Sequence, residues 1–125
     1  MAIKGLSLKE SMNKFVQAIM PLDDEKLCFE KYLTEYLTHL KNNKTESEEY
    51  QKNLLKHFLE QVLPYNFINT SSRIDLAIYN GKTSDSTLGV IFECKSLTNK
   101  SEMMTKERLN TKAFQEIVAY YLSER

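Results

Sequence analysis

The sequence predicts an α/β fold, helices on either side of a short run of strands, and three observations lead there. Apolar residues recur at helical spacing from about residue 8 to 62. The pattern then changes to strict alternation between about 65 and 95, broken by an Asn80-Gly81 turn. Helical spacing resumes after Thr111. A switch of hydrophobic period from 3.6 to 2 and back marks the change of element type.

Taken in order, Ser7-Leu-Lys-Glu10 has the form of a capping box and opens a first helix. Leu8, Met12, Phe15 and Ile19 share its apolar face, and Pro21 closes it. Asp23-Asp24 opens a second helix, with Phe29, Leu33, Tyr36, Leu37 and Leu40 as its stripe and a polar end at Lys41–Lys44. Thr45-Glu-Ser-Glu48 repeats the capping-box pattern ahead of Tyr50, Leu54, Leu55, Phe58, Leu59 and Val62, and Leu63-Pro64 ends that third helix. Tyr65–Asn69 is a short strand and Thr70–Ser72 a turn. Residues 73–79 and 88–95 form a hairpin around the Asn80–Ser86 loop, because Asn-Gly between alternating runs is a strong hairpin signal. Residues 96–110 are a polar, charged loop. The last helix starts at Thr111 and buries Phe114, Ile117, Val118, Tyr121 and Leu122. Its stripe still runs at Arg125 with no Gly or Asn cap, which predicts a piece of a longer protein. Residues 1–44 read as a helical extension and 45–125 as the core.

At 125 residues, 42% hydrophobic and 27% charged, the chain has the size and composition of one globular domain. No run approaches the ~20 apolar residues of a membrane span, and no leader pattern opens it, so a cytoplasmic location is expected. Cys28 and Cys94 lack metal-ligand spacing and suit a reducing compartment. The 17 basic and 17 acidic side chains cancel. Phosphate contacts supply most non-specific affinity for DNA, so this balance argues against tight DNA binding by the piece alone. It leaves room for a catalytic domain whose grip on DNA comes from elsewhere.

The hairpin carries the chemistry. In the first strand Ile74, Leu76 and Ile78 share one face, while Asp75, Ala77 and Tyr79 share the other. In the second, Val90, Phe92 and Cys94 oppose Ile91, Glu93 and Lys95. With residues 80 to 87 as the loop, Asp75 falls opposite Phe92, one residue from Glu93, and a bulge or a one-residue change in loop length would bring the two carboxylates level. Neighbouring strands lie ~4.8 Å apart, so Asp75 and Glu93 can share a hard divalent cation, Mg²⁺ or Mn²⁺, with the Cys94 backbone carbonyl as a third oxygen. Lys95 would hold or deprotonate an attacking water and offset charge in a phosphoryl transition state. The competing reading is a cross-strand charge cluster on a solvated face; Ala77 and Ile91 on that face favour one covered by helices.

Glu48 is either a further carboxylate for the metal or the capping partner of Thr45. Arg73, Lys100 and Gln115 are candidate DNA contacts, Lys100 from the segment 96–112 that also holds Lys106, Arg108 and Lys112. Gln115 is equally an ordinary exposed glutamine. His39 and His57 stand alone as surface residues, and Cys94 is turned away from the site.

Helix, short strand, Asp-bearing strand, Glu-x-Lys strand and helix, in that order, resemble the core of the PD-(D/E)XK nuclease superfamily. Asp75, Glu93 and Lys95 match its motif. Ile74 stands where a proline often precedes the Asp. Some relatives carry Gln followed by Tyr four residues on; here Gln115 is followed by Tyr120 at five, so Tyr120 is not carried over. The resemblance implies that the strands form a small mixed sheet flanked by helices, with the fourth core strand expected beyond Arg125.

More narrowly, residues from about 46 onward resemble the N-terminal nuclease region of single-chain type II restriction-modification enzymes. Ser47-Glu-Glu-Tyr-Gln-Lys-Asn53, Arg73-Ile-Asp-Leu76, Gly89-Val-Ile-Phe-Glu-Cys-Lys95, Asn99-Lys-Ser-Glu-Met103 and Ala113-Phe-Gln-Glu-Ile-Val-Ala-Tyr-Tyr-Leu122 carry the likeness. The resemblance implies Mg²⁺-dependent cleavage of double-stranded DNA, with downstream N6-adenine methyltransferase and target-recognition domains in the same polypeptide. Two alternatives stay open: a non-catalytic scaffold or DNA-docking domain of the same fold, and a recombination or transposition nuclease.

Overall fold

A computed structural model describes residues 5–124. Its elements in order are α1 (Leu8–Ser11), α2 (Lys14–Gln17), α3 (Asp23–Asn42), α4 (Glu48–Val62), β1 (Ile68–Ser71), β2 (Ile74–Tyr79), β3 (Leu88–Phe92), a 3₁₀ turn (Lys100–Glu102) and α5 (Lys112–Ser123). Among the described residues no helix is long and apolar enough to cross a membrane.

The single first helix expected from the sequence is two short ones. The Ser7–Glu10 capping box forms as predicted, with Glu10 N–H donating to Ser7 Oγ at 3.2 Å and Ser7 N–H to Glu10 Oε2 at 2.9 Å. Met12 then turns extended (φ −88°, ψ 140°), and the Asn13 side chain accepts from Phe15 N–H at 2.7 Å to start a second helix. A short polar side chain that competes for backbone donors breaks a helix that apolar spacing alone would continue.

α3 runs as predicted and packs on α4, where Phe29 and Tyr36 meet Phe58 at ring separations of 5.8 and 5.3 Å. α4 is capped by Ser47, which accepts from Tyr50 N–H at 3.1 Å, and not by Thr45.

The sheet has the order β1-β2-β3 with both pairs antiparallel, so among the described residues it is not the mixed sheet expected. β1 begins later than the predicted Tyr65–Asn69, and the turn into β2 is reached at Ser72, whose φ of 53° lies in the left-handed region. Both faces of β2 are covered. Leu76 and Ile78 pack with Ile68 and Leu59 under α4, joined by Leu55, Phe58 and Phe92. Ala77 and Tyr79 pack on the other side with Phe67, Ile91 and Tyr120 of α5. Ile74 belongs with that second group and not, as alternation suggested, with Leu76 and Ile78.

On α5 Ala113 is buried and Phe114, Glu116, Ile117 and Tyr120 are half-buried, with Tyr120 packed on the second group of β2. Val118, Tyr121 and Leu122, expected inside, are exposed. The β2–β3 register pairs Ile78 with Val90 and Leu76 with Phe92, after an irregularity that sets Tyr79 against Leu88. The extra residue is Gly89, where a Cβ would fall 2.5 Å from Asn80 Oδ1. That bulge shifts the register by one residue, so Leu76 and not Asp75 pairs with Phe92, and Asp75 and Glu93 both fall just beyond this last pair.

Candidate active site

β3 ends at Phe92, three residues short of the predicted strand end. Beyond it the chain leaves the ladder, and its backbone donors need other acceptors, since a part-buried N–H without a partner is costly. Side chains supply them. Cys94 N–H donates to Asp75 Oδ2 at 2.8 Å, Ser96 N–H to Glu48 Oε2 at 3.0 Å, and Leu97 N–H to Gln51 Oε1 at 3.0 Å. Gln51 is only 7% exposed and donates in turn to the Lys44 carbonyl at 3.0 Å, tying the turn before α4 to the segment after Lys95. The capping role weighed for Glu48 therefore falls to Ser47, and its carboxylate faces the Glu93–Ser96 segment instead.

The side chains of Glu93 and Lys95 are each 6% exposed. Lys95 Nζ forms ion pairs with Glu93 Oε1 and with Glu116 Oε2, the latter at 2.7 Å. Glu93 Oε2 is buried and has no hydrogen-bond partner. Burial, chiefly, pushes the Glu93 carboxyl up to about 7; the neighbouring carboxyl groups of Glu116 and Asp75 add to this, against the opposing pull of Lys95. The hydrogen bond from Lys95 holds Glu116 below its ordinary value. For Lys95, burial acts to lower its pKa, but hydrogen bonds to Glu116 and Glu93 outweigh it and the net shift is upward. The ammonium is thus a fixed cation and not a base at neutral pH.

Cys94 is half-buried, and its thiol is pushed up to about 11 by burial and then by Asp75 and Glu93. It stays protonated, which argues against nucleophilic cysteine chemistry. Tyr120 is raised by burial and then by Glu93, Glu116 and Asp75, so it stands beside the cluster that the sequence motif had left it out of. The other predicted positions lie elsewhere. Gln115 is exposed and donates to Asn110 Oδ1 at 2.8 Å, Arg73 is exposed in the β1–β2 turn, and Lys100 is exposed in the 3₁₀ turn. His39 and His57 are exposed, as expected.

Glu116 and Gln51 are the residues that sequence analysis overlooked. Each had a signal. Glu116 shares the inward α5 face with Ala113 and Tyr120, and Gln51 lies one turn after Glu48 on α4 beside Leu54 and Leu55. A polar residue on an otherwise apolar face is the cue.

Four carboxylates, of Glu48, Asp75, Glu93 and Glu116, thus converge on a segment whose own cation is Lys95. The donors are hard oxygens, and one of them, Glu93 Oε2, is buried without a partner. By chemistry alone, the oxygens of Asp75, Glu93 and Glu48 are of the ligand type that a cation such as Mg²⁺ takes. The geometry is not a finished cage: among the described residues no three His, Cys, Asp or Glu side chains are already gathered as a metal site.

Residues 6–125 match the family model described as Domain of unknown function (DUF7149), and the chain belongs to that family. Neither a curated protein nor a solved structure matches it.

Proposed function

We propose that this DUF7149 chain is a Mg²⁺-dependent nuclease domain that hydrolyses phosphodiester bonds of double-stranded DNA. In this reading it has a PD-(D/E)XK core and works within a restriction-modification polypeptide with methyltransferase and target-recognition domains. The observation that carries the reading is the buried, unpartnered Glu93 Oε2 just past the end of β3, with Lys95 paired to the other oxygen of Glu93 and the Asp75 charge close by. Asp75 and Glu93 would hold the cation, with Glu48 and the Cys94 carbonyl as further oxygens. When bound, such a cation acts as a Lewis acid on a phosphoryl oxygen and acidifies water. Lys95, kept charged by its two carboxylates, holds the attacking water by hydrogen bonding and offsets negative charge that develops on the phosphoryl group. Ala77, Ile91 and Tyr120 wall off the sheet face, where low polarity strengthens these electrostatic effects. With no net charge, the chain by itself binds DNA weakly and in a salt-sensitive way.

The second reading is a non-catalytic scaffold of the same fold, favoured by the use of Asp75 and Glu48 as backbone acceptors for Cys94 and Ser96. Asp75→Asn, Glu93→Gln and Lys95→Met in the polypeptide carrying the downstream domains separate the two. The nuclease reading expects plasmid cleavage to fall by at least ~10³-fold in each, the scale of losing a transition-state contact, with DNA methylation intact. Wild-type cleavage by Lys95→Met would sink the site assignment. Loss of methylation together with cleavage in all three would favour the scaffold.

A further inference from the structure

Lys95 has two carboxylate partners on different elements, and only one of them also belongs to the proposed cation site. Glu93 is two residues away on the same segment, and its second oxygen faces no donor. Glu116 comes from α5, is 29% exposed, and meets Lys95 Nζ at 2.7 Å. An ammonium has three donors and no way to spread its charge, and leaving it buried without a partner is strongly unfavourable. Glu93 can therefore turn its carboxylate to a cation only if another group keeps hold of Lys95. We infer that Glu116 is a positioning residue for Lys95, holding its ammonium in place while Glu93 is committed to a divalent cation. This rests on the nuclease reading and adds a division of labour to it: Glu93 serves the cation, and Glu116 serves the lysine. Without Glu116, Lys95 pairs with Glu93 alone and competes with the cation for that carboxylate.

Competition and bulk charge make different predictions, which a double-mutant cycle separates. Calorimetric titration of Mn²⁺ into the chain is carried out for wild type, Glu116→Ala, Lys95→Met and the double variant, with the fold of each checked by circular dichroism. Lys95→Met keeps the length and packing of the buried stem, and Glu116→Gln replaces Glu116→Ala should the alanine variant not fold. The expected result is Mn²⁺ affinity about tenfold weaker in Glu116→Ala when Lys95 is present, and changed less than about twofold when residue 95 is Met, in line with coupling between contacting groups. An equal weakening in both backgrounds would make Glu116 a source of negative charge only, and no weakening beside Lys95 would remove its role altogether. Either outcome overturns the inference while leaving the nuclease reading in place. Wild-type chain that binds no millimolar Mn²⁺, or Glu93→Gln that binds it as wild type does, would bring down the nuclease reading and the inference with it.

Discussion

The two helices that flank the Glu93–Leu97 segment hold it in different ways. α4 grips its backbone: Glu48 and Gln51, one turn apart, accept the N–H groups of Ser96 and Leu97. α5 grips a side chain: Glu116 takes the Lys95 ammonium. Backbone anchoring fixes where the segment runs once it has left the sheet, and it serves any chemistry or none. Side-chain pairing fixes one charged group in a buried place, which a fold does not need for its own sake, since apolar residues of similar size usually serve stability as well or better. The uncharged Gln51 anchor on α4 is accordingly where stability should respond to mutation, and Glu116 on α5 is where charge and cation binding should respond.

The largest stability effect is expected on the α4 side. Gln51→Leu keeps the volume of a 7%-exposed side chain but strands the Leu97 N–H and the Lys44 carbonyl. A stranded group costs ~1–3 kcal/mol, less where water reaches it. The expected loss is about 2 kcal/mol, a fall in Tm of roughly 8 °C for a domain of this size. Glu116→Gln, on the α5 side, should change stability by less than ~1 kcal/mol, because a part-exposed ion pair contributes little. Chemical denaturation of the two variants checks this directly. A larger loss in Glu116→Gln than in Gln51→Leu would reverse the assignment of the two helices.

A smaller effect separates the sides by pH, because the Gln51 amide does not titrate whereas the α5 cluster does. The folded chain holds Glu93 up to about 7, against an ordinary value of 4.5. Between those values the folded state keeps a proton that the unfolded state has released, so stability falls as pH rises. The contribution is complete below about pH 4.5 and gone above about 7. Glu116 has the opposite sign: held below its ordinary value, it contributes above pH 4.5, and that contribution fades as pH falls through its lowered pKa. The two windows do not overlap. Melting curves should show a lower Tm at pH 7.5 than at pH 5 from this source, and Glu93→Gln should flatten the trend. Saturating Mn²⁺ should reverse it, since a bound cation favours the deprotonated carboxylate. A Tm that rises from pH 5 to 7.5 in wild type and in Glu93→Gln alike would show that Glu93 is not the group responsible.

What the sequence made legible follows the same division. Alternation and the Asn80-Gly81 turn were enough to find β2 and β3 and to pair them, because strand period is local, but Glu93 and Lys95 lie past the end of β3, where period no longer decides which way a side chain points. A one-residue shift, by a bulge or by loop length, was foreseen but not located; the structure puts it at Gly89, where a Cβ would meet Asn80 Oδ1 at 2.5 Å across the turn. The broken first helix and the cap at Ser47 turned on which of several short polar residues takes a backbone donor, a choice that spacing leaves open. Gln51, Glu116 and the early end of β3 depend on how α4 and α5 meet the strand. That is tertiary information, and a pattern within one element does not contain it.

The smallest effect is the one expected at Gln115, and it tests how sharply α5 divides. Gln115 was the residue on this helix singled out for a role, yet it is exposed and bonds only to Asn110 Oδ1 among the described residues. Its neighbour Glu116 lies one position on, 100° around the helix, and reaches Lys95. Gln115→Ala should therefore leave stability within about 0.5 kcal/mol, as is usual for a surface site, and leave Mn²⁺ affinity unchanged. If α5 approached the site with a different rotation, residue 115 would move toward the sheet and residue 116 toward solvent, and the two alanine variants would exchange phenotypes. Parallel Mn²⁺ titrations of Gln115→Ala and Glu116→Ala read that rotation without a further structure. A silent Gln115→Ala beside a weakened Glu116→Ala fixes the helix as described, and the reverse would set Gln115, not Glu116, against the site.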